Sequence, residues 1–295
     1  AAADAIVAAC LGKNGTVTEE SKPTTSISPA LFDLTSLQRE ANARFGFSAK
    51  NTLALAQALY ERHKVLTYPR TDSRHLPEDY LQTSMQTLEC LTGNAGYESY
   101  ASQILQNRWV RPNKRIFDNK KISDHFAIIP TTQLPKNLSE PEQKLYDLVT
   151  RRFMAVFFPA AEFLVTTRFT EVAGHRFKSE GRVMTKPGWL AVYGREIPAS
   201  GKNSDNDRLL VPVSPGEAVL ADKVLADELV TKPPARYTEA TLLSAMEGAG
   251  KLVEDELREA MMGKGLGTPA TRAAIIEGLL TEKYLLREGR ELIPT

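Results

Sequence analysis

The spacing of apolar residues changes along the chain and outlines regions of different structure. From Asp33 to about Phe158, apolar residues recur mostly every three or four positions, which is typical of amphipathic helices. After Pro159 they alternate with polar residues, as in FLVTTRFTEV, GHRFKSEGRVM and WLAVYGREI, and this alternation indicates strands. From residue 233 the helical spacing returns. The chain is therefore predicted to combine helical regions with a β region.

Capping residues predict where several helices begin and end. SLQREANARFGF is closed by Gly46, and SAKNTLALAQALYERHK follows Ser48 as its N-cap. A third helix is predicted to start at Pro77, and EQKLYDLVTRRFMAVFF forms a fourth. TPATRAAIIEGLL has Thr268 as its N-cap, and the KYLLREGRELIPT that follows predicts a small hairpin. This order of helices and hairpin resembles a winged helix.

The stretches on either side of the helical region carry shorter signals. AAADAIVAACLG predicts a helix that stops at Gly12, GTVTE predicts a strand, and the polar SKPTTSISPA predicts a linker. Residues 209–230 continue the β pattern. KNSDNDR predicts a polar loop, so its pair of carboxylates, Asp205 and Asp207, is interpreted as solvated and not as a Mg²⁺ site.

Composition excludes several classes of protein. Of the 295 residues, 42% are hydrophobic and 25% are charged, which is ordinary for a globular chain of two or three domains. The two cysteines, Cys10 and Cys90, form no CxxC pair and exclude a disulfide framework or a cysteine-ligated zinc site. No apolar run reaches the roughly 18 residues of a membrane span. The chain begins without Met in a predicted helix, so we expect it to be a piece of a longer protein.

The stretch LTYPRTDS contains a tyrosine that could act as a nucleophile. A phenol with a pKa near 10 is only about 0.1% ionised at neutral pH, so attack on phosphorus needs neighbouring cations. Arg70 follows Tyr68 by two residues, and Pro69 favours the extended backbone that turns both side chains to one face. The hydroxyls of Thr67, Thr71 and Ser73 could donate to phosphate, and Asp72 could orient Arg70 or cap the turn. A packed tyrosine before a polar turn is the alternative.

Two further segments carry candidate phosphate-binding groups. His125, in KKISDHFAIIPT, could carry a proton or a positive charge near phosphate, or could be a hydrogen-bonded structural histidine. In GKGLGTPATRAAII, several glycines precede the N-terminus of a predicted helix, where free N–H groups attract phosphate. Thr271 and Arg272 could add contacts there. A helix-to-helix turn with a glycine cap is the alternative for this segment.

Six segments together resemble the type IA DNA topoisomerases, and most closely the topoisomerase III branch. The resemblance is carried in the family's order by SLQREA at 36–41, AQALYE at 56–61, LTYPRTDS at 66–73, DHFAIIPT at 124–131, PPARYTEATLL at 233–243 and GLGTPATRAAII at 265–276. It implies that Tyr68 attacks single-stranded DNA and forms a 5′-phosphotyrosine link, and that another strand passes before the break is resealed. Arg70 and His125 match the residues placed at the scissile phosphate. Other matches imply support of the site or DNA contact: Gln57, Glu61, Thr67, Thr71, Asp72 and Thr271.

The same resemblance implies a multidomain fold of α and β parts. An all-β arch domain would comprise residues 1–32 and 160–232, and a mostly helical domain at 33–159 that carries Tyr68 would be inserted in it. Residues 233–295 would belong to a helical, winged-helix-like domain lining the DNA groove. Mg²⁺ would be bound by the family's toprim domain, expected upstream of Ala1, and no metal site is expected in this chain.

Partners and location follow from the same resemblance. The implied partners are single-stranded DNA and the toprim domain of the parent chain, with no membrane, and the implied location is the bacterial cytoplasm at the nucleoid. Without toprim the chain is expected to be nearly inactive by itself. Two other functions stay open: a non-catalytic single-stranded DNA-binding module, and a tyrosine recombinase, which would link to the 3′-phosphate instead.

Overall fold

The computed structural model describes residues 2–194, 210–214, 216–251 and 265–295. Contacts divide the chain into two compact units: unit 1 is Ala1–Ser28 with Pro159–Pro233, and unit 2 is Pro29–Phe158 with Pro234–Thr295. The C-terminal segment thus shares a unit with the helical segment, although the sequence suggested a separate domain. The division into three domains stays a prediction. Asp205 and Asp207 lie outside the described residues.

Unit 1 is built on a long antiparallel sheet preceded by a short helix. Its strands have the spatial order β3-β2-β1-β4. The elements are α1 (Ala2–Cys10), β1 (Asn14–Ser26), β2 (Ala161–Val172), β3 (His175–Lys186) and β4 (Ala218–Leu220). The predicted first helix and the predicted strands FLVTTRFTEV and GHRFKSEGRVM are confirmed. The predicted strand WLAVYGREI was wrong over its described part, because Gly188–Tyr193 forms a 3₁₀ helix there. At one end of the sheet, Phe163, Met184 and Leu190 form a small core with Trp189, whose indole N–H donates to the Ser26 carbonyl at 2.8 Å.

The predicted linker SKPTTSISPA was wrong over its first half, because β1 continues through it to Ser26. The strand stays in register with β2 throughout, so that Pro23 lies opposite Leu164. Proline has no N–H to donate and is tolerated where a strand pairs on one side only. Among the described strands, β4 pairs only with Asn14–Thr16, which leaves that side of β1 open at Pro23. The β pattern predicted for 209–230 was too long, because the described part of that stretch forms only β4.

Unit 2 contains most of the helices and a second, three-stranded sheet of order β5-β7-β6. Its helices are α2 (Leu34–Phe45), α3 (Ala49–Glu61), α4 (Leu81–Leu91), α5 (Glu98–Gln106), α6 (Glu140–Ala155), α7 (Glu239–Glu247) and α8 (Pro269–Thr281). Its strands are β5 (Tyr237–Thr238), β6 (Leu285–Glu288) and β7 (Glu291–Pro294). The predicted terminal hairpin is therefore confirmed. Among the described residues, no helix is long and apolar enough to cross a membrane.

Local capping chemistry explains the helix ends that the sequence predicted. Gly46 closes α2 with a φ of 72°, and the Ser48 side chain accepts from the backbone N–H of Asn51 at 3.1 Å. Thr268 begins α8 in a capping box. The start of α4 differs from the prediction, since a 3₁₀ turn at Glu78–Tyr80 precedes it. The nine-residue α5 was not predicted, because only Ala101 and Ile104 mark its buried face.

The segment at 234–295 belongs to unit 2 through both packing and charge. Leu243 and Met246 of α7 and Ala273 and Ile276 of α8 form one buried cluster with Ala49, the first residue of α3. The buried carboxylate of Glu239 accepts from the Ala49 backbone N–H at 2.6 Å and pairs with Arg287. The C-terminal helices are thus fixed to the beginning of α3.

Glu142 makes the stability of unit 2 dependent on pH. Burial opposes ionisation, but hydrogen bonds from the side chain and backbone of Ser139, the charge of Arg62 and a bond from His63 outweigh it and hold the pKa at about 2. Because this pKa lies below that of a glutamate in the unfolded chain, the stabilisation that Glu142 provides is complete above about pH 5. It is lost as the pH falls toward 2. Glu142→Gln is expected to lower the free energy of unfolding by roughly 2–3 kcal/mol at pH 7, measured in urea.

The difference between wild type and Glu142→Gln should shrink between pH 5 and pH 2, because the wild-type carboxylate becomes protonated there. Glu140→Gln is the matched control: Glu140 lies in the same turn of α6 but is exposed and pairs with Lys144. A difference that stays constant with pH would contradict this assignment.

Candidate functional site

Two extended segments of unit 2 lie side by side and carry Tyr68 and His125. The backbone N–H of Thr67 donates to the Ile129 carbonyl at 3.0 Å, and that of Thr131 donates to the Val65 carbonyl at 3.0 Å. The hydroxyl of Thr67 adds a bond to the Ala127 carbonyl at 3.0 Å and accepts from the Ile129 N–H at 2.9 Å. The two segments therefore form a short ladder, which brings together residues almost 60 positions apart.

Tyr68 is half-buried between two rings. The centroid of its ring lies 4.1 Å from that of His125, with 40° between the planes. Tyr60 of α3 meets it edge-on at 5.5 Å and 83°. Among the described residues, none hydrogen-bonds the Tyr68 hydroxyl. The ring is thus held in place while the hydroxyl stays available.

Arg70 reaches toward the same helix as Tyr68. Its Nη2–H donates to Oε1 of Gln57 at 3.3 Å, and Gln57 lies one turn before Tyr60 on α3. Both side chains therefore extend to one side of the segment, as the step of two residues around Pro69 suggested. Glu61 ends α3 and is exposed.

Thr71 and Asp72 both hydrogen-bond the segment that carries His125. Thr71 is 2% exposed, and its hydroxyl donates to the His125 carbonyl at 2.8 Å. Asp72 is exposed and accepts from the Ser123 hydroxyl at 3.1 Å. Asp72 thus contacts the His125 segment, whereas the sequence suggested that it could orient Arg70. Thr67 and Thr71 hold the position of His125 with hydroxyls that are already hydrogen-bonded.

The N-terminus of α8 lies at the same place, so three separate sequence features meet in one cleft. The cleft has a volume of about 170 Å³. One wall carries the Tyr68 and His125 segments and the other carries the start of α8; the lining residues are Arg70, Thr71, Asp72, Ser123, Asp124, His125, Thr268, Pro269 and Ala270. Arg70, His125 and the positive end of the α8 dipole therefore face a common space that an anion can enter, together with the carboxylates of Asp72 and Asp124.

The two residues of α8 that were predicted to contact phosphate differ in exposure and in their hydrogen-bond partners. Thr271 is exposed, and its hydroxyl is part of the capping box, where it accepts from the Thr268 backbone N–H at 2.8 Å. Arg272 is only 3% exposed and donates to the Leu266 carbonyl and the Thr35 hydroxyl. Burial lowers the pKa of Arg272, while Glu247 and Asp33 act in the opposite direction. Arg272 does not face the cleft, so the suggested phosphate contact was wrong for this conformation.

The sequence analysis did not single out Tyr60 or Ser123. Tyr60 lies within AQALYE, three residues after Gln57, and this helical spacing was a usable signal that it shares a face with Gln57. Ser123 precedes His125 by two residues, but nothing in its local sequence indicates a bond to Asp72. Among the described residues, no group of three or more His, Cys, Asp or Glu side chains could hold a metal ion.

The glycine before α8 is required by close packing. Gly265 has a φ of +65°, and a Cβ there would lie 2.4 Å from the Met246 carbonyl oxygen. Gly265→Ala is therefore expected to lower the free energy of unfolding by about 2–3 kcal/mol. Thermal unfolding measures this loss.

Gly289→Ala is the matched control for that substitution. Gly289 also has a positive φ, +59°, but a Cβ there meets nothing within 4 Å. The control therefore carries the backbone strain without the clash. Equal losses in the two variants would show that the close approach to Met246 is unimportant.

Comparison with known proteins points to one family. A family model described as DNA topoisomerase matches residues 1–295. The DNA topoisomerase 3 of Bacillus subtilis is 41% identical over 291 residues, which cover 96% of this chain and 40% of that protein. The DNA topoisomerase 3 of Bacillus licheniformis is 41% identical over 276 residues, covering 92% and 38%. The chain thus spans about two fifths of the length of these relatives.

A solved structure has a similar fold. Full-length topoisomerase I from Thermotoga maritima matches with a TM-score of 0.67 and 23% identity, over 96% of this chain and 43% of that one. The mixture of helices and sheets seen here is consistent with that fold. Because the family model spans the whole chain and the curated relatives agree with it, the chain belongs to the type IA DNA topoisomerases, in their topoisomerase III-like branch.

Proposed function

We propose that this chain is the nucleophile-bearing part of an enzyme that changes DNA topology through a transient break in a single strand. The Tyr68 hydroxyl gives up its proton as its oxygen attacks the phosphorus of a phosphodiester. The P–O3′ bond breaks, the 3′ oxygen leaves as a hydroxyl after taking up a proton, and the 5′-phosphate stays on Tyr68. After another strand has passed, the 3′-hydroxyl reverses the reaction. The cleft that joins Arg70, His125 and the N-terminus of α8 beside the Tyr68 ring is the observation that supports this proposal.

Each group has a role that its position suits. The guanidinium of Arg70 and the positive end of the α8 dipole stabilise the negative charge of the phosphoryl oxygens. His125 adds a proton donor or a positive charge on the same wall. Gln57 orients Arg70, and Thr67 and Thr71 hold the His125 segment. Thr271, which is exposed, remains a proposed DNA contact, and Asp72 and Glu61 remain proposed supports of the site.

The resemblance also carries three finer proposals. Unit 1 corresponds to the family's arch domain, single-stranded DNA is the substrate, and the nucleoid is the place of action. The resemblance also implies that Mg²⁺ is bound by the toprim partner of the parent chain. We therefore expect the 295-residue chain alone to bind single-stranded DNA and to leave supercoiled DNA unrelaxed.

The polarity of the covalent adduct tests the proposal. The full-length protein is incubated with a single-stranded oligonucleotide labelled at either end, and the reaction is stopped with denaturant. Label at the 3′ end should remain on the protein, and label at the 5′ end should leave with the free 3′-hydroxyl fragment. Retention of the 5′ label would indicate the chemistry of a tyrosine recombinase. Binding without any adduct would indicate a non-catalytic binding module.

A further inference from the structure

The side chain of Arg272 connects three parts of unit 2 from a buried position. Its Nη1–H donates to the Thr35 hydroxyl at 2.9 Å, and its Nε–H donates to the Leu266 carbonyl at 3.2 Å. A guanidinium has donors in a fixed plane and can serve two acceptors at once, which an ammonium on a flexible stem does less well. Arg272 thus joins the first turn of α8, the glycine loop before it and the first turn of α2.

The opposite wall of the cleft is tied to the same turn of α2. The backbone N–H of Leu34 donates to the Thr71 carbonyl at 3.0 Å, and the Asp33 carboxylate accepts from Nε–H of Arg74 at 2.7 Å. Thr71 in turn donates to the His125 carbonyl. Three consecutive residues, 33 to 35, therefore anchor both the Tyr68–His125 wall and, through Arg272, the α8 wall.

The glycine loop has one other described tie besides Arg272. The backbone N–H of Leu266 donates to the Met246 carbonyl at 2.7 Å, at the end of α7. This bond fixes the loop to α7 and makes no connection to α2. The Arg272–Thr35 bond is therefore a direct link between α8 and the turn that carries the other wall. Thr35 is 1% exposed and cannot touch DNA.

We propose that Arg272 is a positioning residue that acts through Thr35: the pair sets the separation between the N-terminus of α8 and the wall carrying Arg70 and His125. Arg272 does not contact DNA. The consequence for catalysis rests on the proposed function, whereas the mechanical link does not. Charge stabilisation at a phosphate depends on donors held at hydrogen-bonding distance, so a displaced α8 lowers the rate of cleavage at saturating DNA.

Hydrogen exchange in this chain, without DNA, tests the mechanical link. Arg272→Met and Thr35→Val each break the bond with little change of volume. Both should raise amide exchange at residues 266–271 by about tenfold or more, since α8 loses its tie to α2. Arg290→Met is the matched control, because Arg290 also donates to a backbone carbonyl, that of Ala43, but is exposed. Unchanged exchange at 266–271 in Thr35→Val would overturn the link.

Cleavage by the full-length enzyme tests the consequence. Each single variant should lower the single-turnover cleavage rate at saturating DNA by about 10- to 100-fold, and the double variant should be no worse than the poorer single one. Arg272→Lys keeps the positive charge and should disturb folding less than Arg272→Met does. Its cleavage rate should nevertheless also be lower than that of wild type. The salt dependence of DNA binding should match that of wild type, because no phosphate contact is lost.

Two results would overturn the positioning role. In the first, Thr35→Val cleaves at the wild-type rate, while Arg272→Met lowers the slope of DNA affinity against salt concentration by about one. That result would make Arg272 a direct phosphate contact. Variants that lose thermal stability but cleave at the wild-type rate would make the pair merely structural. If wild-type enzyme gives no adduct while the exchange changes as expected, the proposed function fails and the link between Arg272 and Thr35 stands.

Discussion

Replacing Tyr68 with phenylalanine in the full-length enzyme is expected to abolish the covalent adduct and to lower strand cleavage by about 10⁴-fold or more. The substitution keeps the ring that packs 4.1 Å from His125 and against the edge of Tyr60, and it removes only the oxygen that is proposed to form the bond to phosphorus. Binding of single-stranded DNA should therefore stay within about twofold of wild type. Adduct formation on a labelled oligonucleotide and binding anisotropy measure the two quantities.

Tyr60→Phe is the matched control, since Tyr60 is the neighbouring phenol in the same ring cluster. We expect it to form the adduct within a fewfold of the wild-type rate, because the edge-on ring contact remains. A normal adduct in Tyr68→Phe, or its loss in Tyr60→Phe alone, would assign the nucleophile to a different tyrosine.

Replacing Arg70 with alanine is expected to slow cleavage by about 10²–10³-fold at saturating DNA, which is the usual cost of removing one preorganised charge donor from a reacting centre. The side chain lines the cleft beside His125, so its loss removes positive charge where the phosphate is proposed to lie. The salt slope of DNA binding should also fall by about one. Single-turnover cleavage and binding titrations in a salt series measure both effects.

Two further variants separate charge from geometry at this position. Arg70→Lys should recover part of the binding but little of the rate, because a lysine cannot reproduce the planar fork. Gln57→Leu keeps the charge but removes the 3.3 Å bond that orients it, so a smaller loss of about 5- to 10-fold is expected. Arg111→Ala, at an exposed arginine outside the cleft lining, should be silent. Cleavage by Arg70→Ala within threefold of wild type would exclude Arg70 from the reaction.

The parts of the fold that the sequence predicted are those specified by neighbouring residues. Ser48 and Thr268 cap their helices through bonds to backbone N–H groups only three residues away, and Gly46 ends α2 through its own backbone conformation. The second half of β1 could not be predicted in this way. Its polar composition reflects exposure on both faces, and its pairing with β2 is set more than 120 residues further along the chain.

In the candidate site, too, local sequence predicted the individual segments but not how they come together. The segments around Tyr68, His125 and Thr268 were identified from their residues, but their meeting in one cleft depends on tertiary contacts. Arg272 is the clearest example of a residue whose role could not be predicted from its neighbours in the sequence. A polar residue beside a glycine-rich helix start suggests phosphate binding, whereas its side chain turns to Thr35, 237 positions away in the sequence. Burial of a charged side chain is decided by such distant partners, and local sequence does not encode it.

The proline in β1 has a consequence for how the molecule behaves at high concentration. Among the described strands, β1 pairs only with β2 beyond Thr16, and an open strand edge can recruit strands from other molecules and lead to aggregation. Pro23 interrupts the row of donors along this edge, and the neighbouring Lys22–Glu20 pair places exposed charges beside it. The long sheet of unit 1 therefore carries its own protection against edge-to-edge association.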